Sequence, residues 1–128
     1  MREFKGDNMK RLTKTNPRLI KLVGDLRDRG YNDSVKLWID ISKRLCRPTR
    51  RMAEVNLWKL DMYTKEGDTV IVPGKVLGDG NLTHKVTVSA LKFSKKAYNE
   101  IIKNGGEAIT IEELMERNPH GKNVIIME

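Results

Sequence analysis

The sequence predicts an α/β protein whose N-terminal region is helical, on three observations. Between residues 16 and 45 apolar residues recur at helical spacing, in two blocks separated by Gly30. From residue 54 onward, β-branched runs such as Thr69-Val70-Ile71-Val72 alternate with short segments that open on Ser or Thr. Turn signals, among them Glu66-Gly67-Asp68 and Gly105-Gly106, separate the two kinds of segment.

Asn16-Pro17 opens the first helix, because Asn caps well and Pro is pre-set for the first helical position. Leu19, Ile20, Leu22, Val23 and Leu26 form its apolar stripe, and Gly30 is expected to end it. A second helix is expected from Asn32 or Asp33, with Val35, Trp38, Ile41, Ser42 and Leu45 facing inward, and it must stop before Pro48. The two make an N-terminal helical hairpin. Arg47-Pro48-Thr49-Arg50-Arg51 reads as an exposed loop. Val55-Asn56-Leu57 predicts a short strand, residues 58–64 one or two helical turns, and residues 69–72 a strand that Pro73-Gly74 breaks. Gly78-Asp79-Gly80 predicts a sharp turn.

Val86, Val88 and Ala90 alternate within a strand over Lys85 to Leu91. Ser94 caps a helix that reaches Asn104, and Ala108-Ile109 is a short strand. Thr110 and Glu113 form a capping box for a last helix, which ends before Pro119, and residues 124–126 suit an edge strand. Trp38 falls on an apolar stripe and belongs to the core. Trp58 and Tyr63 are expected there too, with base stacking as the alternative.

With 128 residues the chain suits one domain, here residues 16–128, preceded by a basic arm over residues 1–15 that is expected to order on a partner. Only 5% of residues are aromatic, so the core must be aliphatic. The net charge is +8 and is unevenly placed. Residues 1–51 hold 15 Lys/Arg against 6 Asp/Glu, a balance of +9, whereas residues 52–128 hold 10 against 11, a balance of −1. Such asymmetry favours a docking surface for a polyanion over a general solubility charge. The single cysteine, Cys46, allows no intrachain disulfide and fits a reducing compartment. With no apolar leader or membrane-spanning run, the expected location is cytoplasmic.

Five phrases carry a family resemblance. They are Lys14-Thr15-Asn16-Pro17; Val55-Asn56-Leu57; the long run from Gly67 through Thr69-Val70-Ile71-Val72-Pro73-Gly74-Lys75 to Gly80; Phe93-Ser94-Lys95-Lys96-Ala97 with Gly105-Gly106; and Asn118-Pro119-His120-Gly121. In this order they resemble the archaeal and eukaryotic large-subunit ribosomal protein family eighteen-e, a relative of the C-terminal part of the bacterial large-subunit protein fifteen. The resemblance runs from Thr15 onward. It implies an irregular α/β domain of successive β-β-α superhelical turns and a structural role on large-subunit ribosomal RNA. It also implies neighbouring ribosomal proteins as partners, with no reaction, cofactor or membrane, and a monomer outside the ribosome. The competing reading is a stand-alone RNA-binding regulator that uses the same basic surface.

RNA contact is expected first at Arg47, Arg50 and Arg51, whose planar guanidinium groups grip phosphate in two places. Lys43 and Arg44 extend that patch, Arg18 is a further candidate, and Lys10, Arg11 and Lys14 of the arm are expected to thread between RNA helices and fold on binding. The plainer reading is a solvated charge run for the arginine patch and a disordered tail with weak electrostatic attraction for the arm. Gly74 to Gly80 is neither a Walker loop nor a dinucleotide fingerprint. Gly78 and Gly80 let backbone approach RNA closely, and Lys75, His84 and Lys85 are expected to touch phosphate with them, against the simpler reading of a turn needing positive φ. Ser94, Lys95 and Lys96 open a helix whose free N–H groups suit phosphate, against simple capping. No ligand spacing for a metal and no paired carboxylates for acid–base chemistry are present. Cys46 stands beside Arg44 and Arg47, which favour a thiolate, although a small helix-end residue is the simpler role.

Overall fold

The computed structural model describes residues 16–47 and 52–128. The chain divides into two compact units at Met52/Ala53.

The first unit contains α1 (Pro17–Asn32) and α2 (Lys36–Leu45), packed on each other. The Asn16 side chain accepts a 3.0 Å hydrogen bond from the Arg18 N–H, the expected cap. Leu19, Leu22, Val23 and Leu26 of α1 are buried, as are Trp38, Ile41, Ser42 and Leu45 of α2. The Ser42 hydroxyl satisfies itself by donating to the Ile39 carbonyl at 2.6 Å.

Two expectations fail here. Gly30 does not end α1, which runs on to Asn32. Its role is close approach, since a β-carbon there would lie 2.5 Å from the Ile39 side chain. The second helix starts at Lys36, not at Asn32 or Asp33, because Asp33 closes α1 and Ser34 reverses the chain at φ 58°.

The second unit is a five-stranded sheet with every described pair parallel. Its elements are β1 (Ala53–Asn56), α3 (Leu57–Tyr63), β2 (Thr69–Leu77), β3 (Thr87–Phe93), α4 (Lys95–Lys103), β4 (Glu107–Thr110), α5 (Ile111–Arg117) and β5 (Val124–Ile126). This alternation confirms the α/β class. The predicted strand over 85–91 is displaced by two residues, and Leu57 opens α3 instead of closing β1. Residues 78–86 cross from β2 to β3 without a helix.

The central strand β2 does not stop at Pro73-Gly74 as expected. One edge pairs with β3, with one extra β2 residue between Val72 and Lys75. The other edge is shared end to end: β5 takes Thr69–Ile71 and β1 takes Gly74–Leu77. Pro73, which has no N–H to give, falls in the gap between these two neighbours. Gly74 sits where β1 begins, and a β-carbon on it would come within 2.0 Å of the Ala53 carbonyl oxygen. Val70, Val72 and Val76 then join Val55, Leu57, Leu60, Val86, Val88, Ala97 and Ile101 in one aliphatic core.

Gly74→Ala should therefore lower stability by about 2–3 kcal/mol through overpacking against β1. Gly24→Ala, in α1 with open space around it, should raise stability by roughly 0.5–1 kcal/mol. Urea midpoints of the two variants and the wild type test both signs.

Candidate nucleic-acid interface

The first unit places the basic candidates unequally. Arg18 is exposed on the first turn of α1, and Lys43 is exposed on the last turn of α2, where a cation favours the helix C-terminus. Arg44 is bound internally, its guanidinium reaching both carboxylate oxygens of Asp40 at 2.9 and 3.4 Å. Arg47 follows α2, with its N–H directed to the Arg44 carbonyl at 3.4 Å. Lys10, Arg11, Lys14, Arg50 and Arg51 lie outside the described residues.

In the second unit, the carboxyl ends of β1, β2 and β3 carry Asn56, Leu77 and Phe93, and the loop and helices that follow them converge. The Ser94 N–H donates to the Val76 carbonyl at 2.9 Å, and the Trp58 N–H donates to the Asp79 carbonyl at 3.0 Å. Gly78 abuts the Lys96 side chain, where a β-carbon would meet the Lys96 Cβ at 2.7 Å. Gly80, at φ 98°, abuts the Trp58 backbone. The expected sharp turn is thus present, and its glycines are required by two close approaches. Ser94 caps α4 by accepting from the Ala97 N–H at 3.2 Å, with no acidic residue in the first turn. Lys95 and Lys96 are exposed there and form no ion pair among the described residues.

The structure places Lys75, His84 and Lys85 apart from one another. Because β2 and β3 are parallel, residues 78–86 run from the carboxyl end of one to the amino end of the other. Lys85 therefore lies beyond the opposite end of the sheet, beside Gly67 and Gly105, about 20 Å away at the usual rise per strand residue. Lys75 lies within β2, in register with Glu54 and Lys92 on one sheet face.

His84 is engaged internally. Its Nε2 is 2.7 Å from the Thr64 hydroxyl oxygen, and its Nδ1 is 3.3 Å from Asp61 Oδ1. Asp61 also accepts from the Thr83 N–H at 2.9 Å and the Thr83 hydroxyl at 2.6 Å. These bonds fasten α3 to residues 83–84. The Thr83 hydrogen bonds, hydroxyl first, hold the Asp61 carboxyl below the usual carboxylate range, with a smaller contribution from His84.

Trp58 and Tyr63 are not core residues, being 46% and 61% exposed, whereas Trp38 is fully buried as expected. The helix α3 turns Leu57, Leu60 and the following Thr64 inward, which leaves Trp58 and Met62 outside. That spacing was available in the sequence. Burial pushes the Cys46 thiol up, against a smaller opposing pull from Arg27, which favours the simpler helix-end role over the thiolate alternative. The capping box at α5 is half formed: Thr110 accepts from the Glu113 N–H at 3.1 Å, but the Glu113 carboxylate binds Arg117 at 3.0 Å. Among the described residues no group of three or more His, Cys, Asp or Glu is placed to hold a metal, and no helix is long and apolar enough to cross a membrane.

These features define a small basic α/β protein with cations and aromatics displayed at the surface. The family described as ribosomal protein 60S L18 and 50S L18e matches residues 8–128, and the chain belongs to that family. It is similar to the large ribosomal subunit protein eL18 of Methanothermobacter thermautotrophicus, 47% identical over 120 residues that span 94% of this chain and 99% of that one. The eL18 of Methanosphaerula palustris is 48% identical over 117 residues, 91% and 97% of the two chains. That of Archaeoglobus fulgidus is 41% identical over 116 residues, 91% and 99%.

Two measurements check the electrostatics. A carboxyl held low in the fold adds stability that is complete above the ordinary aspartate range, near pH 4, and is lost as pH falls through the lower folded value. Asp61→Ala should be less stable than wild type at pH 6, and the gap should close toward pH 3, as followed by urea midpoints. At pH 7.5 the Cys46 thiol should react with a disulfide reagent more slowly than free cysteine does, timed under native conditions.

Proposed function

We propose that this protein is a structural component of the large ribosomal subunit, in the cytoplasm, that binds and stabilises large-subunit ribosomal RNA and catalyses no reaction. Family membership carries this reading, since the relatives are named as large ribosomal subunit proteins. The +9 balance of residues 1–51 supports RNA contact mainly through the N-terminal half, because phosphate neutralisation by Lys and Arg dominates such affinity. Lys10, Arg11 and Lys14 of the basic arm, Arg18, Lys43 and the Arg47, Arg50 and Arg51 group make those contacts, and residues 16–128 act as one domain. Gly78, Gly80, Ser94, Lys95 and Lys96 supply a second contact region. Neighbouring ribosomal proteins complete the environment, and the chain is a monomer before assembly.

Sedimentation of the tagged protein from lysate at low and high salt tests the role. Stoichiometric migration with large subunits at both salts is expected, whereas a position at the top of the gradient would reject it in favour of a free RNA-binding regulator. Replacing Arg47, Arg50 and Arg51 together by Ala should weaken binding to large-subunit ribosomal RNA. In filter binding across a salt series, the log–log slope should flatten by about 0.9 for each lost contact to duplex phosphate. Unchanged binding would remove the arginine group from the interface.

A further inference from the structure

We infer that Trp58, with the Gly78-Asp79-Gly80 loop and Lys95-Lys96, forms a platform on which an unpaired ribosomal RNA base stacks. The inference rests on the RNA-binding reading above and adds a separate kind of contact, in the half of the chain that carries no net positive charge.

Three observations meet at one loop. Trp58 is half-exposed at the start of α3, although the chain has only two tryptophans and buries the other completely. Its backbone rests on Gly80, whose φ of 98° and missing side chain leave the turn beside it bare. Across the same loop, the Lys96 stem lies on Gly78, and Lys95 and Lys96 expose ammonium groups that form no ion pair among the described residues. The loop itself carries one carboxylate, that of Asp79, against these two cations.

A nucleotide strand presents a flat π face and a negative charge in every residue, which matches an exposed indole next to unpaired ammonium groups. A duplex hides its base faces in the stack, so the platform selects an unpaired nucleotide. An apolar protein partner would suit the indole and the nearby Met62 but would leave Lys95 and Lys96 buried without counter-charge, which is costly. The bonds from Asp61 to Thr83 and His84 hold α3 against the chain just beyond the loop, so the indole is presented from a fixed helix.

The test uses the full chain and purified large-subunit ribosomal RNA. Subtracting the emission of Trp58→Phe from that of wild type isolates Trp58 from the buried Trp38. Added RNA should quench the Trp58 component. Trp58→Ala should weaken binding on the order of tenfold, the scale of one base–aromatic stack, and Trp58→Phe should restore part of the loss. The salt slope should stay at the wild-type value, because indole carries no charge. An unquenched Trp58 with unchanged affinity, in a protein that still binds the RNA, overturns the platform and leaves the ribosomal reading intact. Quenching by the subunit's other proteins and not by RNA overturns it in favour of a protein neighbour. Failure of the wild type to bind the RNA removes both readings.

Discussion

The second unit depends on how β2 distributes its backbone hydrogen bonds. A strand has two edges, yet β2 pairs with β1, β3 and β5. The solution is a seam at Pro73: β5 pairs before it and β1 after it, while β3 runs past on the other edge, opposite one extra, unpaired β2 residue. A proline elsewhere in β2 would remove a donor that a neighbour needs, and any side chain on Gly74 would strike the Ala53 carbonyl. The chain closes onto the same seam, since the Met127 N–H donates to the Ile71 carbonyl at 3.0 Å.

With all strands parallel, every connection must return to the amino end before the next strand can start. The carboxyl ends therefore collect the loops and helix starts, a general property of parallel sheets. Here they gather the Gly78-Asp79-Gly80 loop, Trp58 and Lys95-Lys96. The same topology carries Lys85 to the far end of the sheet, away from the glycines it nearly follows in sequence.

Local pairing matters more than net charge in deciding which cations can meet a polyanion. Arg44 lies in the strongly basic half, but Asp40 engages its guanidinium through two bonds. Arg117 lies in the acidic half and is held by Glu107 and Glu113 at 2.9 and 3.0 Å. Lys95 and Lys96 share that acidic half with no such partner among the described residues. A surface lysine that is in no ion pair is available to a phosphate as it stands, whereas a bidentate arginine must first give up its present partner.

Local chemistry settled much of this protein in advance. Asn16-Pro17, Ser94 and Thr110 mark helix starts because their side chains or fixed φ act within one turn, and Thr69–Val72 reads as strand because β-branched residues favour it. The family could be named from phrases such as Gly67–Gly80, and burial of Trp38 followed from helical spacing. Other features required contacts between residues distant in sequence. Gly30 and Gly74 look like terminators, yet each admits a neighbouring element that local sequence does not reveal. His84 reads as a free basic group until α3 brings Asp61 and Thr64 against it. Exposure of Trp58 was latent in the Leu57, Leu60 and Thr64 spacing, but its place beside Lys96 was not. A side chain's propensity acts over a few residues, whereas its neighbours are set by how strands pair across the whole chain.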